Sequence, residues 1–141
     1  MIERAYLKAS NLGQDDEFGR SVAISGDTMV IGVPKEDSGN SADGNDNTAT
    51  DSGAVYIYLQ QSDGTWRQEA YLKAANPGDE DFFGTSIAIA GDTLIVGAPG
   101  EDSGDAADGS DNTVRNAGAA YVFHRQENGT WVEAAYLKAS N

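Results

Sequence analysis

Ala5-Tyr6-Leu7-Lys8-Ala9-Ser10-Asn11 is written three times in this chain. It returns as Ala70-Tyr71-Leu72-Lys73-Ala74-Ala75-Asn76 and as Ala135-Tyr136-Leu137-Lys138-Ala139-Ser140-Asn141, 65 positions apart each time. Residues 5–69 lie over 70–134 without insertion or deletion, and more than half of the aligned positions are identical. A fixed period of this kind marks solenoids, propellers and arrays. The 141 residues therefore divide into an N-terminal outer-strand segment at 1–11 and two repeats, 12–76 and 77–141.

Each repeat reads as four short strands. The first runs from Phe18 to Ser25, with Val22 and Ile24 on one face. Gly26-Asp27, matched by Gly91-Asp92, suits a two-residue II′ hairpin turn, which needs glycine at its first central position. Thr28 to Pro34 forms the second strand, ended by a proline that cannot continue a ladder. A long polar loop follows, from Lys35 to about Ser52, and then the third strand, Gly53 to Leu59. Asp63-Gly64 and Asn128-Gly129 signal the last hairpin, and the fourth strand runs from Thr65 to Ala74. No window holds a period of 3.6, so no helix is expected.

Strands two and three are apolar on both faces, as Val30, Ile31, Val55, Tyr56 and Ile57 show, and such strands must be covered on both. Four-stranded meanders stacked face to face are propeller blades; a β-helix has shorter coils and few tight hairpins. The expected fold is all-β: two four-stranded antiparallel blades plus an extra N-terminal outer strand.

Phe18-Gly19 followed by Gly32-Val33-Pro34, and Phe83-Gly84 followed by Gly97-Ala98-Pro99, resemble FG-GAP repeats. Gly53-Ala54-Val55-Tyr56 and Gly118-Ala119-Ala120-Tyr121 match the third strand of the same family. The resemblance covers both repeats and implies blades like those of integrin α-subunit heads and bacterial surface proteins. It also implies an extracellular or cell-surface setting, a non-enzymatic binding, adhesion or structural role, and glycines where neighbouring backbones approach closely. The family's calcium loop in the first hairpin is missing, because that hairpin is only Ser25-Gly26-Asp27-Thr28 here.

Charge limits the partners. The formal net charge is -14, with 9 Lys and Arg against 23 Asp and Glu. A basic footprint for nucleic acid is missing, and no apolar run is long enough for membrane insertion. Cations, basic protein surfaces or a glycan are the natural counterparts. Cysteine is absent, so there are no disulfides and no thiolate metal sites. Sixteen of the 23 acidic residues fall in the loops before strand one and between strands two and three, which share one end of an up-and-down blade.

Within the long loop Asp43, Asn45 and Asn47 place oxygens at alternate positions, with Asp51 beyond them. Asp108, Ser110, Asn112 and Asn116 repeat the pattern more weakly. Alternating oxygens can wrap calcium, a hard ion that takes six to eight oxygen ligands. The plain alternative is a solvated polar loop, because these residue types favour turns.

Catalytic signals are sparse. His124 is the only histidine, and its counterpart is Leu59. The alternative function is a carbohydrate-active enzyme or lectin with its site in the acidic loops, since glycoside hydrolysis needs only two carboxylates. Trp66 and Trp131 read as packing between blades, and Asn128-Gly129-Thr130 reads as a turn before a glycosylation sequon. Two blades cannot close a ring of the usual four to eight, so a homo-oligomer of three or four chains per ring is expected.

Overall fold

The computed structural model describes residues 2–11, 13–39, 47–103 and 113–139. Among them are eight strands and no helix: β1 Ser21–Ser25, β2 Thr28–Val33, β3 Ala54–Gln60, β4 Trp66–Leu72, β5 Ser86–Ala90, β6 Thr93–Ala98, β7 Ala119–Arg125 and β8 Trp131–Leu137. They form two four-stranded antiparallel meanders, β1-β2-β3-β4 and β5-β6-β7-β8. Ser25 pairs with Thr28 across Gly26, whose φ of 55° fits the first central position of the II′ turn.

The outer pair in each sheet carries a bulge. Ile57 faces Ala70 but Tyr58 faces Gln68, so Glu69 is the extra residue. Its carboxylate accepts a 2.6 Å bond from Arg125 of the second blade. The matching bulge leaves out Ala134.

Sequence and structure part at the strand ends. Phe18-Gly19 and Phe83-Gly84 precede their strands as turns, with Gly19 at φ 93° and Gly84 at φ 96°. A Cβ on Gly84 would come within 2.6 Å of the Ala54 carbonyl oxygen of blade 1. The segment expected as an N-terminal outer strand joins neither sheet. Leu7 and Ala9 instead pack on the Ile31, Val33 and Tyr56 face of blade 1.

The core follows from this stacking. Val30, Val55, Ile57, Leu72 and Ala74 of blade 1 meet Phe83, Leu94, Val96, Tyr121 and Phe123 of blade 2. Phe83 stands edge-on to Tyr121 and Phe123 at 5.2 and 5.9 Å between ring centroids. Trp131 is buried in the same layer, as its sequence reading requires. Backbone bonds seal the joint: Glu80, Phe82 and Phe83 N–H groups donate to the carbonyls of Thr50, Asp51 and Ser52 at 2.8–3.0 Å. β2 and β3 of blade 1 are thus covered on both faces, whereas Val22 and Ile24 of β1 stay exposed; among the described residues, blade 2 is covered where it meets blade 1.

Candidate functional site

The acidic end is built around two buried carboxylates that sequence reading leaves among the solvated loop charges. Glu36 and Glu101 are 2% and 1% exposed. Glu36 accepts bonds from Ser38 N (3.0 Å), Ser38 Oγ (2.7 Å), Tyr71 OH (2.7 Å), Lys73 Nζ (3.2 Å) and Asn11 Nδ2 (3.2 Å). Glu101 repeats the set with Ser103 N and Oγ, Tyr136 OH, Lys138 Nζ and Asn76 Nδ2. A carboxylate out of water is tolerable only when its lone pairs and charge are answered in this way. Burial pushes the Glu101 carboxyl up, but Lys138, Tyr136 and Ser103 together hold it below the usual range.

The thrice-written stretch now has a physical reading. Tyr71 and Lys73 bond to Glu36 of their own blade, whereas Leu72 and Ala74 pack into the joint with blade 2. Asn76 crosses over, accepting from Tyr121 OH at 2.9 Å and donating to Glu101. Asn11 does the same for blade 1, with Tyr56 OH and Glu36 as partners. The signal was present in sequence as Glu-Asp-Ser-Gly paired with Tyr-x-Lys in each repeat.

A second layer of carboxylates folds the loops themselves. Asp16 and Asp81 are buried and accept from Gly13 N (2.9 Å) and Gly78 N (2.8 Å). Burial, reinforced by Glu36, Asp37 and Asp15, pushes Asp16 up to about 6 despite the Gly13 bond. Asp81 is likewise pushed up to about 6 by burial, with Glu101, Asp102 and Asp79 adding to it. Asp37 Oδ1 accepts from Asp51 N at 2.8 Å, and Asp102 Oδ1 from Asn116 N at 2.6 Å. The charges left in solvent include Asp15, Glu17, Asp79 and Glu80.

Of the residues expected to surround calcium, Asp43, Asn45, Asp108, Ser110 and Asn112 lie outside the described residues. Asn47, Asp51 and Asn116 are described, each with left-handed φ of 45°, 52° and 53°. Asp51 and Asn116 close the base of their loops through their backbone N–H groups. Among the described residues no group of three or more His, Cys, Asp or Glu is placed to hold a metal ion. His124 is exposed, with Thr93 Oγ1 at 3.5 Å. Asn128 spends its side-chain oxygen on Thr130 N at 3.0 Å, the turn role read from sequence.

Comparison with known families matches residues 2–58 and 66–123 to the FG-GAP repeat. No curated protein matches the chain.

Proposed function

Because the chain belongs to the FG-GAP repeat family, whose repeats are typically β-propeller segments of adhesion-type proteins, we propose that it is a non-enzymatic binding module of the cell surface or extracellular space. Its working surface is the acidic end, and its counterpart is a basic protein surface, with calcium as an ion that the same end takes up. One observation carries this reading: burial pushes Asp16 and Asp81 up to about 6, and neighbouring carboxylates, Glu36, Asp37 and Asp15 at one and Glu101, Asp102 and Asp79 at the other, add to the rise. Exposed Asp15 and Asp79 are among the charges acting on them, while exposed Glu17 is paired with Lys35 at 2.8 Å. Like charges held together by folding favour whatever cation relieves their repulsion.

Calorimetric titration with poly-L-lysine at low and high salt tests the surface. Binding that weakens with salt, and weakens again in Asp15→Asn/Asp79→Asn, is expected. Melts in millimolar calcium and in chelator test the ion, which at a hundredfold excess over its dissociation constant adds about 2.7 kcal/mol. The absence of a binding heat together with superimposable melts would remove the acidic end from this account. Turnover of a glycan by the intact chain would overturn the non-enzymatic reading.

A further inference from the structure

Blade 2 presents an empty copy of the seat that blade 2 itself fills on blade 1. In the internal joint the Phe83-Gly84 turn sits against blade 1. Gly84 O accepts a 2.7 Å bond from Ser21 Oγ, and Gly53 bridges to Phe83. A Cβ on Gly32 would overlap Gly84 O, and one on Gly53 would overlap Phe83 O. These glycines leave room for the neighbour's backbone. One repeat later stand Ser86, Gly97 and Gly118. Here, among the described residues, a Cβ on Gly97 would overlap the Ser86 hydroxyl of its own blade but no neighbour's backbone, and one on Gly118 meets nothing closer than Pro99 O at 3.4 Å. The space is a shallow cleft of about 210 Å³ lined by Ser86, Ile87, Ala88, Ile95, Gly97 and Ala120.

The matching plug is also free. Gly19 has nearly the same positive φ as Gly84, yet among the described residues nothing lies within 4 Å of a Cβ placed on it. Val22 and Ile24 are 66% and 60% exposed, whereas their counterparts Ile87 and Ile89 pack into the joint. On the receiving side Val30 is fully buried and its counterpart Ile95 is 45% exposed. Plug and seat are therefore both on this chain, at opposite ends, and cannot meet within it.

We propose that the open face of blade 2 is a docking surface for blade 1 of a second copy of this chain. The Phe18-Gly19 turn of that copy enters the Ser86–Gly97 cleft, and Val22 and Ile24 cover Ile95. The contact is head-to-tail, so each added copy carries a fresh seat until a ring closes. The Leu7–Asn11 segment of the incoming copy is already seated on its own blade 1, so Leu137 of the receiving copy yields at the new joint.

Light scattering of the full chain at tens of micromolar tests this, with Ile24→Asp and Ile95→Asp alongside. Both side chains are exposed in the single chain, so both variants are expected to keep the parent circular dichroism spectrum. The parent should run at a multiple of 14.8 kDa and each variant at the single-chain mass. An equimolar mixture of the two variants should give a species of two chains and no larger one. Ile24→Asp retains the seat, Ile95→Asp retains the plug, and only one joint can form between them. A parent at single-chain mass overturns the proposal, as do variants that assemble like the parent. Loss of assembly in one variant alone, or a mixture that stays monomeric or grows beyond two chains, overturns the head-to-tail contact.

Discussion

Lys138→Met removes the ammonium group that lies 2.8 Å from Glu101 Oε2, where the two side chains are 10% and 1% exposed. Breaking a buried ion pair by deleting one partner costs about 3–5 kcal/mol, because the remaining charge stays out of water. Ser103 N, Ser103 Oγ and Tyr136 OH continue to donate to Glu101 at 3.1, 2.7 and 2.7 Å. The expected loss is therefore at the lower end, about 3 kcal/mol, or about 10 °C in Tm for a chain of this size. The pH dependence carries a sign. In the parent the Glu101 carboxyl is held below its ordinary range, so its contribution is present above the unfolded value and fades as pH falls through the folded one. Without Lys138 only neutral donors oppose burial, the carboxyl rises, and the deficit shrinks on acidification. Urea unfolding followed by tryptophan fluorescence at about pH 7 and about pH 4.5 separates these cases. Lys138→Met/Glu101→Gln should recover part of the loss. A cost below about 0.5 kcal/mol, as for an exposed pair, or a deficit that ignores pH, refutes the buried-pair reasoning.

Gly32→Val should destabilise by about 1–3 kcal/mol or more, since its side chain meets backbone. Gly97→Val should cost less in the dissociated chain, because only the Ser86 hydroxyl must move; equal melting losses would contradict this asymmetry. Asp16 and Asp81 have folded values raised to about 6, so the stability they contribute is greatest below the unfolded carboxylate range and is lost as pH rises through about 6. Melting temperature should therefore climb as pH falls from about 7 toward about 5, and Asp16→Asn/Asp81→Asn should flatten that climb. Asn76→Ala should uncouple the blades, seen as two unfolding transitions by calorimetry where the parent shows one, because Tyr121 and Glu101 lose their bridge.

The strand order, both hairpins and the family were legible because they rest on period, turn chemistry and alternation, all of which are local. Gly26 and Asn128 were read correctly for the reason that each acts within four residues. Glu36 and Glu101 were not, because their burial depends on Tyr71 and Lys73 or Tyr136 and Lys138, 35 and 37 positions away. A glutamate in an acidic polar loop carries no mark of its own that it will be enclosed. The segment before residue 12, expected as an outer strand, joins neither sheet of its own chain for a related reason: a strand needs a ladder to join, and the segment itself does not show where that ladder is. Asp51 and Asn116 were chosen for side-chain oxygens; that their left-handed backbones also close the loops was not legible in the alternation of oxygens.

The alternation from Tyr71 to Asn76, one side chain for its own blade and the next for the following one, makes the two blades unequal in how they open. With blade 2 unfolded, blade 1 keeps Leu7 and Ala9 over its Tyr56 face, and Glu36 keeps Asn11, Tyr71 and Lys73. With blade 1 unfolded, blade 2 loses Leu72, Ala74 and the Asn76 bridge together. The partly open state of lower free energy is therefore the one that keeps blade 1, and fraying has a direction along the chain. In stacked repeats neighbouring interfaces set local stability, and amide exchange reads it residue by residue. Under conditions that keep the chain dissociated, the amides of β6 and β7 should exchange faster than those of β2 and β3, although the two sheets share their register almost pair for pair.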